Sequence, residues 1–302
     1  MLPEFSGKRV LVTGASGFLG ARVAHRLQHR VGALMLLGRT GSDFACQNLA
    51  VDASEWVRAE TGEQIARAVH RFAPDLVIHC AGRVLTDHAT TDLDDLIISN
   101  IGFHTALLEG LIQCDAEVGI GTARLVCVGT YLEHGPAGTE QPNSLYSATK
   151  LACKPITAFY ESRMKIRQMT VKLPVLYGRS DHRPRLVNLL FDAAKSGRPL
   201  DLSPGEQTLN LLHVEDAVDA LLVAGRTVLG SADIAEKYCF AYGNETLTLH
   251  GLVARIEEIT GKPISVNWGA RPYKYTEVMS PFIEGNRLPD WIATRDLSSL
   301  AE

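Results

Sequence analysis

The sequence predicts an α/β fold, a doubly wound parallel sheet followed by a smaller C-terminal lobe. Short apolar runs at 10–12, 33–37, 76–80 and 125–128 alternate with stretches of helical periodicity, as buried parallel strands joined by crossover helices do. The first run passes straight into a glycine turn, GASGFLG at 14–20, and then into a helix over 21–30. Beyond Arg179 the alternation loosens, so a regular half precedes a less regular one.

Composition fits that fold. The 302 residues are 46% hydrophobic and 21% charged, enough for a full core in a globular chain. A net charge of -4 gives no case for nucleic acid as a partner. Cysteines 46, 80, 114, 127, 153 and 239 are scattered without a Cys-x-x-Cys pair, which predicts neither a disulfide framework nor a metal site and suits a reducing compartment. MLPEFSGKRV has no apolar signal region, and no run approaches the ~20 apolar residues of a membrane span. The expectation is a cytoplasmic protein with no membrane partner.

Taken in order, the elements carry chemistry. In the first turn Gly14 permits the tight bend and Gly17 lets backbone approach a pyrophosphate. Gly20 allows close helix packing, while Ser16, Phe18 and Leu19 complete the loop whose N–H groups face the anion. The strand at 33–37 ends in Gly38 and Arg39, where a site for NAD normally has an acidic residue. A guanidinium matches a ribose 2′-phosphate by charge and fork geometry, which favours NADPH over NADH; the bland alternative is an exposed surface arginine. The run 49–52 reads as a strand end that places Asp52 near an adenine amino group, although a surface Asp fits as well. The strand at 76–80 ends in the small residues Ala81 and Gly82, which suit backbone lying against a cofactor. His79 within it reads as a packed core histidine. A long helix is expected over 92–112, with Asn100 partway along.

The run 125–128 stops at Gly129, and the hydroxyl of Thr130 follows at once. After a Gly/Pro-rich loop, Tyr146 opens a helix to about Ser162, with Lys150 four residues on. That spacing stacks phenol and ammonium on one helix face. An ammonium so placed favours the phenolate and equips the pair to move a proton on an alcohol or carbonyl oxygen. Tyr-x-x-x-Lys alone also fits an amphipathic helix with a snorkelling lysine. A strand over 171–175 contains Pro174, read either as an edge strand or as backbone lying close to a nicotinamide. Helices are expected over 185–196, 213–224 and 247–260, with Asp216 able to orient nearby loops, and an irregular tail carries Arg271 and Tyr273. This divides the chain into a Rossmann-type NADP-binding domain, 1–178, with 209–235 packing back onto it, and a mainly substrate-binding lobe, 179–302.

GASGFLG, PDLVIHCAG at 74–82, Asn100, LPVLYG at 173–178 and LLHVEDAVDALL at 211–222 stand in the order found in the extended short-chain dehydrogenase/reductases, which the chain resembles over nearly its whole length. That family includes sugar-nucleotide epimerases, dehydratases and 4-ketoreductases. The resemblance implies a catalytic set of Thr130, Tyr146 and Lys150, a pyrophosphate-binding Arg271, and a homodimer. Dehydratases of the family carry Asp-Glu just after the Thr; Tyr131 and Leu132 stand there instead, with Tyr131 a substrate contact. Many relatives also carry an Arg-Asp pair before the His-Val-x-Asp segment. Here those positions are Leu209 and Asn210, which leaves a substrate diphosphate to Arg271 and Arg185.

The resemblance therefore implies NADPH-dependent reduction of a nucleotide-diphosphate 4-keto-6-deoxyhexose, as in CDP-abequose and paratose synthases. Epimerisation without net redox change, reduction of a ketone lacking a nucleotide, and a non-catalytic NADP-binding regulatory protein stay open.

Overall fold

The computed structural model describes residues 3–39, 54–119, 121–179 and 185–300. In chain order, β1 (Arg9–Thr13), α1 (Phe18–Leu27), β2 (Ala33–Arg39), β3 (Ser54–Ala59), α2 (Gly62–Phe72) and β4 (Leu76–His79) form the first half of the sheet and its crossovers. A continuous helical run follows, comprising α3 (Leu93–Ile97), a π-helical turn (Ile98–Gly102) and α4 (Phe103–Val118). Then come β5 (Ala123–Thr130), α5 (Leu145–Glu161), β6 (Ile166–Leu173) and β7 (Val175–Tyr177). The remainder is α6 (Leu186–Ser196), β8 (Leu200–Asp201), β9 (Thr208–His213), α7 (Val214–Leu229), β10 (Tyr238–Phe240), β11 (Glu245–Thr248), α8 (Leu249–Thr260) and β12 (Val266–Asn267).

Seven parallel strands form the main sheet in the order β10-β6-β5-β4-β1-β2-β3. The chain runs outward from β1 in both directions, so a crevice opens where β1 and β4 diverge at their carboxyl ends. Alternation along β1 decides which layer each side chain enters. Val10 and Val12 join Val23, Leu27, Ile78 and Leu221 under α1 and α7. Leu11 joins Met35, Val77, Leu107 and Leu111 under α2 and α4. Each such fully buried aliphatic side chain stabilises the fold by about 1.5–3 kcal/mol. A third cluster, built on Tyr177, Leu190, Leu211, Leu252 and Ile256, packs α6 and α8 on the small sheet β11-β9-β7.

Several expectations shift in detail. Pro174 does not sit inside a strand: it separates β6 in the main sheet from β7 in the small one, because a residue without an N–H interrupts the ladder. The strand expected at 49–52, with Asp52, lies outside the described residues; β2 is flanked by β1 and β3. The helix expected over 247–260 begins with the end of β11 and becomes helical at Leu249. The helical run from Thr90 to Glu117 reaches 28 residues with a mean hydropathy of 1.2 in its most apolar stretch, long and apolar enough by composition to cross a membrane. In the fold it packs against α2 and α5, and Leu107, Leu108 and Leu111 along it are fully buried. Asp216 holds the tail: its carboxylate accepts from the backbone N–H groups of Thr294 and Arg295, from the Thr294 hydroxyl and from the Arg295 guanidinium.

Candidate active site

A cleft of about 800 Å³ lies over the carboxyl ends of β1, β2, β4, β5 and β6. Its floor is pinned by Thr13, whose Oγ1 accepts the Ala81 N–H at 3.0 Å and hydrogen-bonds His79 Nδ1 at 2.8 Å, tying the end of β1 to the end of β4. His79 is thus the buried core histidine the sequence suggests. Gly14 takes φ +69°, and a Cβ there would lie 2.7 Å from Ala81 N. At Gly20 a Cβ would meet Gly14 O at 2.3 Å, so the close partner of Gly20 is the turn itself. The first turn of α1 has no side-chain cap at Gly17, which leaves its N–H groups to an anion.

This lining fits a nicotinamide dinucleotide. The glycine turn supplies backbone for a pyrophosphate, and Ser99 presents a buried hydroxyl with no hydrogen-bond partner among the described residues. Arg39 stands at the β2 end of the cleft, its guanidinium 2.8 Å from Asp95 Oδ1. Asp95 also takes Arg83 at 3.0 Å, so one carboxylate bridges two cleft arginines. The hydrogen bond from Arg39 is the main reason the Asp95 carboxyl lies below the usual carboxylate range.

At the other end of the cleft stand Thr130, Tyr131 and Tyr146. Thr130 ends β5 and caps the short turn after it, Oγ1 accepting the Leu132 N–H at 3.3 Å. Ser144 and Ser147 form the capping box that starts α5, which fixes Tyr146 in the first turn of that helix. Lys150 follows one turn on, in a small enclosed space beside Glu133, His104 and Cys153. Its Nζ lies 3.9 Å from the place a Cβ on Gly82 would take, against the cleft floor. Burial alone would lower its pKa, but Tyr146 first, then Cys153, Cys127 and Glu133, outweigh burial and raise it. Burial, then Glu277 and Tyr146, push the Tyr131 phenol up to about 12.

Of the residues singled out by sequence, the cleft gathers the turn Gly14, Ser16, Gly17, Phe18, Leu19 and Gly20, then Arg39, Ala81, Gly82, Thr130, Tyr131, Tyr146, Pro174 and Arg185. Arg185 lies with its guanidinium 4.8 Å over the Phe18 ring. Asn100 does not line the cleft. It braces the wall behind: Oδ1 accepts the Arg83 N–H at 2.8 Å, and Nδ2 donates to Arg83 O at 3.1 Å and Thr149 Oγ1 at 2.8 Å. Arg271 follows β12, exposed, its backbone N–H on Leu202 O at 3.1 Å, and is not among the cleft residues. Asn210 is buried and holds Gly243 and Thr246. A second groove of about 710 Å³ between α2 and α4 contains none of the candidate catalytic residues.

Sequence reasoning passed over Ser99, Arg83 and Glu133. Ser99 and Asn100 lie in the π-helical turn, whose extra residue per turn leaves no trace in the apolar periodicity. Glu133 did leave a signal. Thr130-x-x-Glu133 is a capping-box pattern: Glu133 Oε1 accepts the Thr130 N–H, while Thr130 Oγ1 accepts the N–H of Leu132 in the same turn.

Comparison with known proteins follows the same lines. The family profile described as NAD dependent epimerase/dehydratase family matches residues 10–233. CDP-abequose synthase of Yersinia pseudotuberculosis is 27% identical over 282 residues, spanning 90% of this chain and 91% of its own. dTDP-4-dehydro-6-deoxy-D-allose reductase of Streptomyces bikiniensis is 24% identical over 243 residues, spanning 72% and 73%. The solved structure of MoeE5 in complex with UDP-glucose and NAD matches with a TM-score of 0.78 at 18% identity, over 97% of this chain and 95% of that one. With the fold, the glycine turn and the ordered motifs in agreement, the chain belongs to the NAD dependent epimerase/dehydratase family of extended short-chain dehydrogenase/reductases.

Proposed function

We propose that this protein is an NADPH-dependent reductase that converts the 4-keto group of a nucleotide-diphosphate 6-deoxyhexose to an alcohol. The observation that carries the reading is the convergence of Thr130 and Tyr146, with Lys150 behind them, at one end of a cleft whose other end offers the glycine turn and Arg39. Tyr146 donates its proton to the carbonyl oxygen as charge builds there. The Lys150 ammonium stabilises the phenolate left behind. Because Thr130 Oγ1 already accepts the Leu132 N–H, its own O–H donates to the same oxygen. Bound NADPH would supply the hydride to the keto carbon. Tyr131 and Leu132 occupy the positions where dehydratases of the family carry an acid pair, which argues for reduction over elimination. Arg185, on the cleft wall, is the cation proposed for the substrate diphosphate. The relatives named for CDP-abequose and for a dTDP-linked 4-dehydro-6-deoxy sugar support the substrate class.

One observation favours a second reading. Asp95 sits on Arg39, where it competes with a 2′-phosphate, and a site filled by retained NAD would suit epimerisation. Absorbance of reduced nicotinamide, followed with CDP- and dTDP-linked 4-keto-6-deoxyglucose, decides between them. Stoichiometric oxidation of NADPH, with NADH much slower, is expected. An epimerised sugar with no NADPH consumed would establish the second reading.

A further inference from the structure

Behind the cleft floor, the end of β5 rests on a buried ion pair. Glu133 and Lys172 are 3% and 2% exposed, with Lys172 Nζ 2.9 Å from Glu133 Oε2. Taking two charges out of water is costly, so a pair at this depth is poor evidence of stability and calls for another reason. Its connections supply one. Glu133 Oε1 accepts the backbone N–H of Thr130 at 2.8 Å. Lys172 also donates to His134 Nε2, and His134 Nδ1 donates to the Gly138 carbonyl at 2.9 Å. An ammonium only donates and a carbonyl only accepts, so this ring is the neutral Nδ1–H tautomer.

The sheet register delivers Lys172 to this spot. It stands opposite Gly129, and Leu173 opposite Thr130, in the β5–β6 ladder. A Cβ at residue 129 would lie 2.9 Å from Thr170 Cγ2 and 3.0 Å from both Glu133 Oε1 and Lys172 Cγ, so glycine makes room for the pair and for its neighbour on β6. The Phe240 and Tyr238 rings close over Lys172 at 5.6 and 5.8 Å.

We infer that Glu133 is a positioning residue for the reaction: its carboxylate, locked by Lys172 and through it by His134, holds the Thr130 backbone so that the hydroxyl meets the substrate oxygen. The inference rests on the role of Thr130 proposed above. The Thr130 hydroxyl and the Glu133 carboxylate both cap the turn after β5, so losing the Glu133 bond loosens the Thr130 one.

The test compares two double variants, each free of both buried charges and so spared a lone one. E133Q/K172M keeps an oxygen to accept the Thr130 N–H, whereas E133L/K172M does not. With NADPH and CDP-4-keto-6-deoxyglucose, E133L/K172M is expected to lose ~10- to 100-fold in kcat at unchanged KM for NADPH, and E133Q/K172M to recover most of it. In a Thr130→Ala background, E133L/K172M should cost nothing further, because the group it positions is gone. Far-UV circular dichroism confirms that each variant is folded. If E133L/K172M does not fold, E133M/K172M replaces it, its flexible side chains filling the space.

A folded variant without the acceptor but with full kcat overturns the inference, as does an equal loss in the Thr130→Ala background. Should Thr130→Ala itself turn over at the wild-type rate, the proposed role of Thr130 fails and the inference falls with it.

Discussion

Tyr146 and Lys150 show how little separates a catalytic pair from an ordinary helix face. Four residues of spacing put them on one side of α5, but it is the capping box at Ser144 that starts the helix there and so sets where both side chains fall. Tyr146→Phe removes only the proton donor, so kcat should fall ~10²- to 10⁴-fold while NADPH affinity stays within a few-fold, measured by turnover and by fluorescence titration. Near-full turnover would mean that another group supplies the proton. At Arg39 the question is charge. Charge-assisted hydrogen bonds of ~1.5–3 kcal/mol correspond to ~10- to 100-fold in affinity, so Arg39→Ser should reduce the preference for NADPH over NADH by that factor. An unchanged ratio of kcat/KM for the two cofactors would remove Arg39 from the 2′-phosphate site.

Among the elements, the glycine turn depends most tightly on residue type. With Gly14 O only 2.3 Å from where a Cβ would sit, Gly20→Ala must push α1 off the turn. Overpacking of that kind costs ~1–3 kcal/mol, so a lowered Tm and weakened dinucleotide binding are expected together. A variant that melts and binds like the parent would show that the turn yields without cost.

This turn was legible in the sequence because glycine spacing, strand and helix all point to one geometry. Thr130, Tyr146 and Lys150 were legible as types at a spacing, and the fold brings Thr130 and Tyr146 to one end of the cleft with Lys150 in the enclosed space behind it. Ser99 was not, since the π-helical turn changes where side chains point while keeping the same apolar pattern. β10 was hidden by its length: three residues carry too little periodicity, and only the open edge of β6 makes them a strand. Pro174 was seen as anomalous, but a one-dimensional reading cannot tell a strand containing proline from two strands in different sheets.

For the molecule as a whole, two buried histidines link folding to pH. Burial, with the nearby Lys150 charge adding to it, holds His104 at about 3. Burial first, then His104 and Lys150, lowers His79 well below the ordinary 6.5. The unfolded chain takes up protons at these groups below about 6.5 and the folded chain does not, so their stability is complete above that pH and is lost as pH falls. Each histidine contributes a slope of up to ~1.4 kcal/mol per pH unit. Denaturant unfolding across acid pH should therefore be shallower for His104→Gln than for the parent by about one histidine's slope. Equal slopes would mean that His104 is protonated in the folded state.

The reaction itself is tested most directly by label transfer. NADPH carrying deuterium at the transferable nicotinamide position is incubated with CDP-4-keto-6-deoxyglucose and the sugar product is examined by mass spectrometry and NMR. The expected result is one deuterium at the former keto carbon for each NADPH oxidised, and none formed by Tyr146→Phe. An altered sugar that carries no deuterium, with the NADPH unconsumed, would contradict net reduction at this site.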